Sequence, residues 1–317
     1  MTVRTFAKIS RLGTLALFLG LLVGSAAARA QDSVALFESI IKPTFAPDKL
    51  TYAKATATGP DSLILTDVVY IPAKSDGGSA PDPINIATVR IDDVDFDAIK
   101  RKDAPAHLRL HLEGLASKTA SAAQFAELLG PEAGALVKGL DIGKRAANIG
   151  LEYKVIGGKE LQVREIAFEF PGLLKLRISL DLDGIEPKGD KFSDSSFDNV
   201  GLKSGSIVFE DQSFLSSVVA MIAKLESKTE DQVVTDWTAA LTLAAANQGE
   251  QEVPLANAIA ALLKDFRAPK GPLKITFTRP ADAKPMKDAL AEGLVKTLGA
   301  KITYAGETIE PAAKKSP

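Results

Sequence analysis

The sequence predicts an α+β fold: a mainly antiparallel, curved sheet with amphipathic helices packed on one of its faces. Three observations carry this. The first is a set of short stretches that alternate apolar and polar residues. The clearest is Leu161–Ile185, LQVREIAFEFPGLLKLRISLDLDGI. It reads as strands Leu161–Phe170 and Leu173–Leu182 joined by a Pro171-Gly172 turn. Side chains alternate faces along a strand, so Ile166, Phe168 and Phe170 share a face. Leu174, Leu176, Ile178, Leu180 and Leu182 share another, while Glu169, Lys175, Arg177, Ser179 and Asp181 point the opposite way. That describes a sheet with one buried and one wet side. The second observation is that tight turn signals separate the strands, which favours antiparallel pairing over parallel α/β crossovers. The third is a change of period after Ser213, where apolar residues recur at helical spacing.

Taken in order, Asp32–Lys42 predicts a short helix ended by Pro43. Strands follow at Leu50–Thr58 and Ser62–Ile71 around the Gly59-Pro60-Asp61 turn. Lys74–Pro83 is the clearest loop. Ile84–Ile91, a strand about Asp93–Ala98, and Ala106–Leu115 continue the sheet. Ser121–Leu129 reads as helix, and Pro131 opens a second one carrying Leu136, Val137 and Leu140. Ala147–Ile156 is strand, with a hairpin turn at Gly157-Gly158. After a polar loop at Lys188–Asn199, Gly205–Glu210 is a short strand. Phe214, Val218, Ile222 and Leu225 form one helical stripe. Thr229-Glu230-Asp231-Gln232 has capping-box spacing, followed by Val233, Trp237 and Leu241. Leu255, Ile259, Leu262 and Phe266 form a third stripe opened by Pro254. Leu273–Thr278 is a strand, Pro285 starts a helix with Met286, Leu290, Leu294 and Leu298, and Lys301–Tyr304 adds a last strand.

One pattern occurs twice. Val89-Arg90 precedes Val94-Asp95-Phe96 at the spacing with which Val163-Arg164 precedes Phe168-Glu169-Phe170. Leu108–Glu113 then parallels Leu176–Asp181, and each copy leads into a helical pattern. This reads as a duplicated strand–strand–helix unit, with two independent hairpins as the alternative. The expected organisation is a β-rich part over residues 31–210 with helices near 121–145, a helical part with returning strands over 211–310 sharing its core, and a loose tail at 311–317.

Residues 1–30 read as a signal peptide. Arg4, Lys8 and Arg11 precede an apolar run, Leu12 to Val23, and Ala28-Arg29-Ala30 has signal-peptidase spacing, so cleavage is expected after Ala30. The run falls short of the about 20 residues of a membrane span. The expected location is the bacterial periplasm. Without Arg4, Lys8, Arg11 and Arg29, 34 of the 38 basic residues remain against 40 acidic ones, a net of −6. That balance argues against a nucleic-acid partner and leaves no polybasic footprint for an anionic membrane. Cysteine is absent, which excludes disulfides, thiolate nucleophiles and cysteine-based metal sites. The 287 residues after Ala30 suffice for a core without staples.

Candidate chemistry meets a plainer explanation at each place. Asp93, Asp95 and Asp97 resemble the start of a calcium loop, but Ala98 and Ala104 stand where glycine and glutamate are required. Alternation with Val94 and Phe96 makes them a solvated strand face. Asp181–Gly184 and Asp194–Asp198 are weaker hints of the same kind. His107 and His111, the only histidines, sit four apart on a predicted strand, about 13 Å from each other at about 3.3 Å per residue. That is too far to chelate one ion, and no metal or other cofactor is expected. Gly139–Lys144 lacks phosphate-loop spacing, Ser39-Ile40-Ile41-Lys42 lacks its partner motifs, and Ser204 is misplaced for a nucleophile elbow. A hydrolase with a dispersed site stays as a third reading.

The leading expectation is a binding role. A one-sided sheet against helices 213–226, 230–246 and 255–266 can enclose an apolar groove suited to a lipid or another apolar small molecule. Its expected lining is Phe168, Phe170, Leu180, Phe214, Val218, Ile222, Trp237, Ile259 and Phe266. The runner-up is a structural or interaction module with a filled core that docks an envelope protein. Phe266–Phe277, FRAPKGPLKITF, together with the acidic start of the helix at Glu230, resembles the C-terminal part of uncharacterised, β-rich periplasmic proteins of proteobacteria, the YdgA-type group. The resemblance covers about a third of the chain, implies an envelope location and carries over no catalytic residue.

Overall fold

The structure is a computed structural model that describes residues 33–73, 83–101, 103, 105–117, 138–142, 145–185, 200–248, 253–279 and 299–309. The signal segment, most of the Lys74–Pro83 loop, the helix over Ser121–Leu129, the start of the next one with Leu136 and Val137, the Lys188–Asn199 loop, the helix from Pro285 and the 311–317 tail lie outside the described residues.

The fold is α+β, with a large antiparallel sheet that is not closed. Its strands are β1 (Lys49–Thr51), β2 (Lys54–Gly59), β3 (Ser62–Ile71), β4 (Ile84–Asp92), β5 (His107–Ser117), β6 (Ala147–Ile156), β7 (Glu160–Phe170), β8 (Leu174–Asp183), β9 (Gly201–Asp211), β10 (Leu273–Thr278), β11 (Lys301–Tyr304) and β12 (Glu307–Thr308). From β3 onward sheet order follows chain order, while β1 and β2 both pair with β3. Five α-helices are described: α1 (Ser33–Leu36), α2 (Phe96–Lys100), α3 (Phe214–Glu226), α4 (Glu230–Gln248) and α5 (Val253–Lys264). The described residues divide into two compact units. One holds those up to Lys159 together with Val163–Phe168. The other holds Glu160–Gln162, Glu169–Ile185 and those from Val200 onward.

In the first unit, α1 runs into a π-helical turn (Phe37–Ile41) and a 3-10 turn (Lys42–Phe45). The single helix expected over Asp32–Lys42 is therefore three short pieces. Leu36, Phe37 and Ile41 of this segment are buried with Leu63, Leu65 and Val68 of β3, Ile86, Val89 and Ile91 of β4, and Leu108, Leu110 and Leu112 of β5.

Plain alternation fails along one row of this sheet. On β3 the inward positions run Leu63, Leu65, then Val68, and on β4 they run Ile91, Val89, then Ile86. On β5, Leu108, Leu110 and Leu112 are followed inward by Leu115. The switch falls at Asp67 (φ 52°) and Gly114 (φ 68°), two left-handed residues. Ala87 lies between them, and the β4–β5 ladder lapses between Thr88↔Glu113 and Asn85↔Ala116. Gly114 is required there twice over: a Cβ would stand 2.8 Å from the Ala87 Cβ, and φ is positive.

The expected strand about Asp93–Ala98 is instead the helix α2. Asp93 takes φ 53°, and Asp95 caps the helix by accepting from the Ala98 N–H at 2.9 Å. A short carboxylate that bonds its own backbone favours a cap over a strand. The acids of this segment are thus cap and turn residues rather than one solvated strand face. The strand expected over Leu50–Thr58 is broken at Tyr52 and Ala53 into β1 and β2.

In the second unit, β8 pairs with β9 and β9 with β10 in register, so Leu176, Phe209 and Leu273 lie abreast. The strand predicted as Gly205–Glu210 spans Gly201–Asp211. Val219 and Ala223 of α3, Val233 and Val234 of α4, and Leu263 of α5 are buried together with Phe266. Ala258 and Leu262 of α5 are buried with Leu273, Ile302 and Tyr304 of β10 and β11. The capping box forms as read: Thr229 Oγ1 accepts from the Gln232 N–H at 3.2 Å, and Gln232 Oε1 accepts from the Thr229 N–H at 2.8 Å. Arg267 reaches Glu230 and Asp231 in the first turn of α4, at 3.0 and 2.8 Å. Leu225, placed in the α3 stripe, is 69% exposed and belongs to no core.

The hairpin expected to be wet on one side only is half-buried on both. Along β8, Lys175, Ser179 and Asp181 are as sheltered as Leu174, Leu176 and Ile178. On β7, Val163 and Phe170 are buried although they point to opposite faces, and Ile166 is 38% exposed.

Candidate functional site

An apolar pocket lies in the first unit, between the segment after α1 and the inner faces of β1, β3, β4 and β5. Its walls are Phe37, Ile41 and Phe45 from the helical turns, Leu50 from β1, Leu65, Val68 and Tyr70 from β3, Ile86, Val89 and Ile91 from β4, and Leu110 and Leu112 from β5. Nine of the twelve are buried. Phe45, Leu50 and Tyr70 are half-buried and form the rim. The wall residues of β3 and β4 come from both sides of the Asp67–Ala87 row, and those of β5 from one side of Gly114.

The space open to the centre of a water-sized sphere is about 40 Å³. A single water needs about 10–15 Å³ by that measure, so this is more than a packing defect. With the mouth included, the depression measures about 450 Å³, part of it open solvent. The smaller figure governs what can be enclosed: a small apolar group, or the tip of a longer molecule whose remainder stays outside.

Polar chemistry stops at the rim. The Tyr70 hydroxyl donates to Asp48 Oδ2, and Asp48 Oδ1 accepts from the Ala73 N–H at 2.6 Å. Burial first, then this hydrogen bond and the Asp48 charge, push the Tyr70 phenol far above its ordinary range. Phe45 packs edge-on against Tyr70 with centroids 6.0 Å apart, and Phe37 against Tyr52 at 6.1 Å. Lys42 binds Glu38 at 2.9 Å and lies 4.9 Å from the Tyr52 ring centre. The wall offers no charged side chain to a ligand, which therefore meets dispersion and desolvation and no ion pairing.

The residues predicted to line a groove are placed elsewhere. None of the nine is in the wall of this pocket. Ile222, Trp237, Ile259 and Phe266 pack in the α3–α5 core, and Ile259 also reaches the α5–sheet core. Leu180 packs with Leu202 and Phe277, and Phe214 stacks edge-on against Phe209 at 6.4 Å. Val218 and Phe170 are buried, and Phe168 is half-buried. The structure thus brings four of them together, as helix-packing residues.

The other motifs resolve into local structure. Ser39 Oγ donates to the Ala35 carbonyl at 2.7 Å. His107 Nδ1 lies 2.6 Å from the Asp93 carbonyl oxygen. Ser204 donates to Asp181 at 2.6 Å. Among the described residues, no group of three or more His, Cys, Asp and Glu is disposed to hold a metal ion, and no helix is long and apolar enough to cross a membrane.

A family model described only as an uncharacterized protein matches residues 167–305, from β7 to the turn after β11. No curated protein and no solved structure matches the chain. The pocket residues lie outside the matched stretch.

Proposed function

We propose that this chain is an exported cell-envelope protein that binds an apolar ligand, such as the end of a lipid chain, in the pocket of its first unit. The observation that carries the proposal is the wall itself: twelve apolar or aromatic residues around about 40 Å³ of space, with a half-buried rim. The charged start, apolar run and Ala28-Arg29-Ala30 support export to the periplasm, as does the resemblance of Phe266–Phe277 to YdgA-type proteins. In this reading the sheet is curved, the helices cover one of its faces, and the β4–β5 and β7–β8 regions descend from a duplicated strand–strand–helix unit. Of the nine residues expected to line a groove, Ile222, Trp237, Ile259 and Phe266 pack in the α3–α5 core.

A second reading, an interaction module that docks an envelope protein, is favoured by one observation. β2 (KATATG) is exposed along most of its length and, among the described residues, pairs only with β3, which leaves its other edge as a place for a partner strand to add.

The test is a titration of the purified protein with a series of n-alkanols, followed by calorimetry. Each added methylene tightens Kd by about fourfold, about 0.8 kcal/mol, until the pocket is full, and the series then levels off. Binding that is absent across the series, or that never levels off, sinks the proposal.

A further inference from the structure

The rim of the apolar pocket is built on a stretch of chain with no buried residue. Ile41 before it is buried, and the three residues of β1 after it pair with β3. Between them run seven residues, Lys42 to Asp48, and none of the seven is buried. The stretch is therefore clamped at both ends and lightly held in the middle, and a segment with few buried apolar contacts opens at low cost. Of the three rim residues, Phe45 lies within it and Leu50 just after it. The third, Tyr70, stands on β3 and catches it. Phe45 meets the Tyr70 ring edge-on with centroids 6.0 Å apart. Asp48 accepts from the Tyr70 hydroxyl with Oδ2 and from the Ala73 N–H with Oδ1 at 2.6 Å. The side-chain hydrogen bonds of Lys42 and Thr44 stay local, to Glu38 at 2.9 Å and to the Ile41 carbonyl at 2.7 Å. One carboxylate thus bonds this stretch to the sheet at the mouth of the pocket.

We propose that residues 42–48 are a strap at the pocket mouth and Asp48 its latch: an apolar chain enters when the Asp48 bonds break and is held when they re-form. The inference rests on the apolar-ligand reading of the pocket and adds how that site admits its ligand. About 40 Å³ is enclosed, against about 450 Å³ with the mouth included. A chain that reaches the enclosed part passes between Phe45, Leu50 and Tyr70, and Phe45 leaves that ring when the strap swings out. Opening the latch keeps the floor intact, because Phe37, Ile41 and the buried residues of β3, β4 and β5 lie outside the strap. A hydrogen bond to an ionised carboxylate is stronger than one between neutral groups, so the closed strap is the resting state. A gate acts on entry and exit alike, so it slows both and leaves the equilibrium where it was. A side chain that gripped the ligand would instead change koff, and Kd with it. Asp48 is not a wall residue, which leaves it the first of these roles.

The test measures the entry and exit rates of n-octanol by NMR exchange on the isotope-labelled full chain. Asp48→Ala removes both latch bonds. It is expected to raise kon and koff together, each by about tenfold or more, the factor that corresponds to losing a hydrogen bond to a charged group. Kd stays within about threefold of the parent, since both rates move together. Asp48→Asn keeps the shape and loses the charge, and gives a smaller rise in both rates. Should Asp48→Ala misfold, Asp48→Asn decides alone. Rates that match the parent in the folded variants, or a Kd that moves with koff while kon stays constant, overturn the latch and leave the apolar-ligand reading standing. A parent chain that binds neither n-octanol nor any other n-alkanol sinks that reading, and the latch with it.

Discussion

Val68→Ile and Val89→Ile distinguish a real void from a well-filled core. Both valines are buried in the pocket wall, on β3 and β4. Each substitution adds one methylene to a β-branched residue that already suits a strand. Where about 40 Å³ stands open, that methylene has somewhere to go. Its transfer contributes about 0.8 kcal/mol of stability. In a chain of this size the corresponding rise in Tm is about 2 °C. In a tightly packed interior the same methylene costs about 1–3 kcal/mol through forced rotamers and shifted backbone. The two cases therefore differ in sign as well as size. Calorimetric unfolding of both variants reads the stability, and the alkanol titration reads the space: filling the pocket shortens the longest alkanol that still gains affinity by about one carbon. If both variants melt several degrees lower and bind the series as the parent does, the pocket is not a usable space and the reasoning fails.

Three further substitutions probe other parts of the two units. Asp211 is buried, its Oδ1 accepts from the Leu215 N–H at 3.1 Å at the start of α3, and its Oδ2 is buried without a partner. Burial raises this carboxyl above its ordinary range, with the hydrogen bonds from Leu215 and Phe214 opposing. The folded chain thus holds that proton more tightly than the unfolded chain. The resulting stabilisation is full below the usual aspartate range and is lost as pH rises through the raised value. Asp211→Asn keeps the cap acceptor and removes the charge, so in melts across pH it gains on the parent from acid toward neutral; a constant difference would show that the carboxyl does not titrate this way. Tyr70→Phe removes the hydrogen bond to Asp48 and costs about 1 kcal/mol in urea unfolding. It leaves alkanol affinity unchanged, because the wall is apolar without the hydroxyl. Gly114→Ala forces a Cβ into a left-handed residue, about 1–2 kcal/mol, and against Ala87 at 2.8 Å, so the total exceeds that of an ordinary strand Gly→Ala change and appears as a lower urea midpoint.

Much of the fold was legible because it rests on local chemistry. Ser62–Ile71, Ala147–Ile156, Leu273–Thr278 and Lys301–Tyr304 occur as strands within the bounds that alternation and turn residues set. The Thr229 capping box was equally readable, since its first and last residues, Thr229 and Gln232, satisfy each other's backbone N–H. Readings failed where a side chain served its own backbone. Asp95 alternates with apolar neighbours as a strand residue would, yet its carboxylate caps α2. The pocket was not legible, because it depends on the phase change at Asp67 and Gly114 and on the remote segment carrying Phe37, Ile41 and Phe45. One sign was present: Leu65 and Val68 are three apart in a strand of period two. The nine residues expected as a lining lie outside the wall of this pocket for a related reason. Stripes such as Val218, Ile222, Trp237 and Phe266 state that a helix has an inner face, and a face packed against other helices has the same period as one that borders a cavity.

The central claim, that the chain carries an apolar ligand, is tested most directly by native mass spectrometry of the protein purified from bacterial periplasm without detergent. The account predicts an adduct of lipid or other apolar mass that is lost on organic extraction and diminished in Val68→Ile and Val89→Ile. A clean ligand-free mass at several protein concentrations, unchanged after incubation with the n-alkanols that fit the pocket, contradicts it.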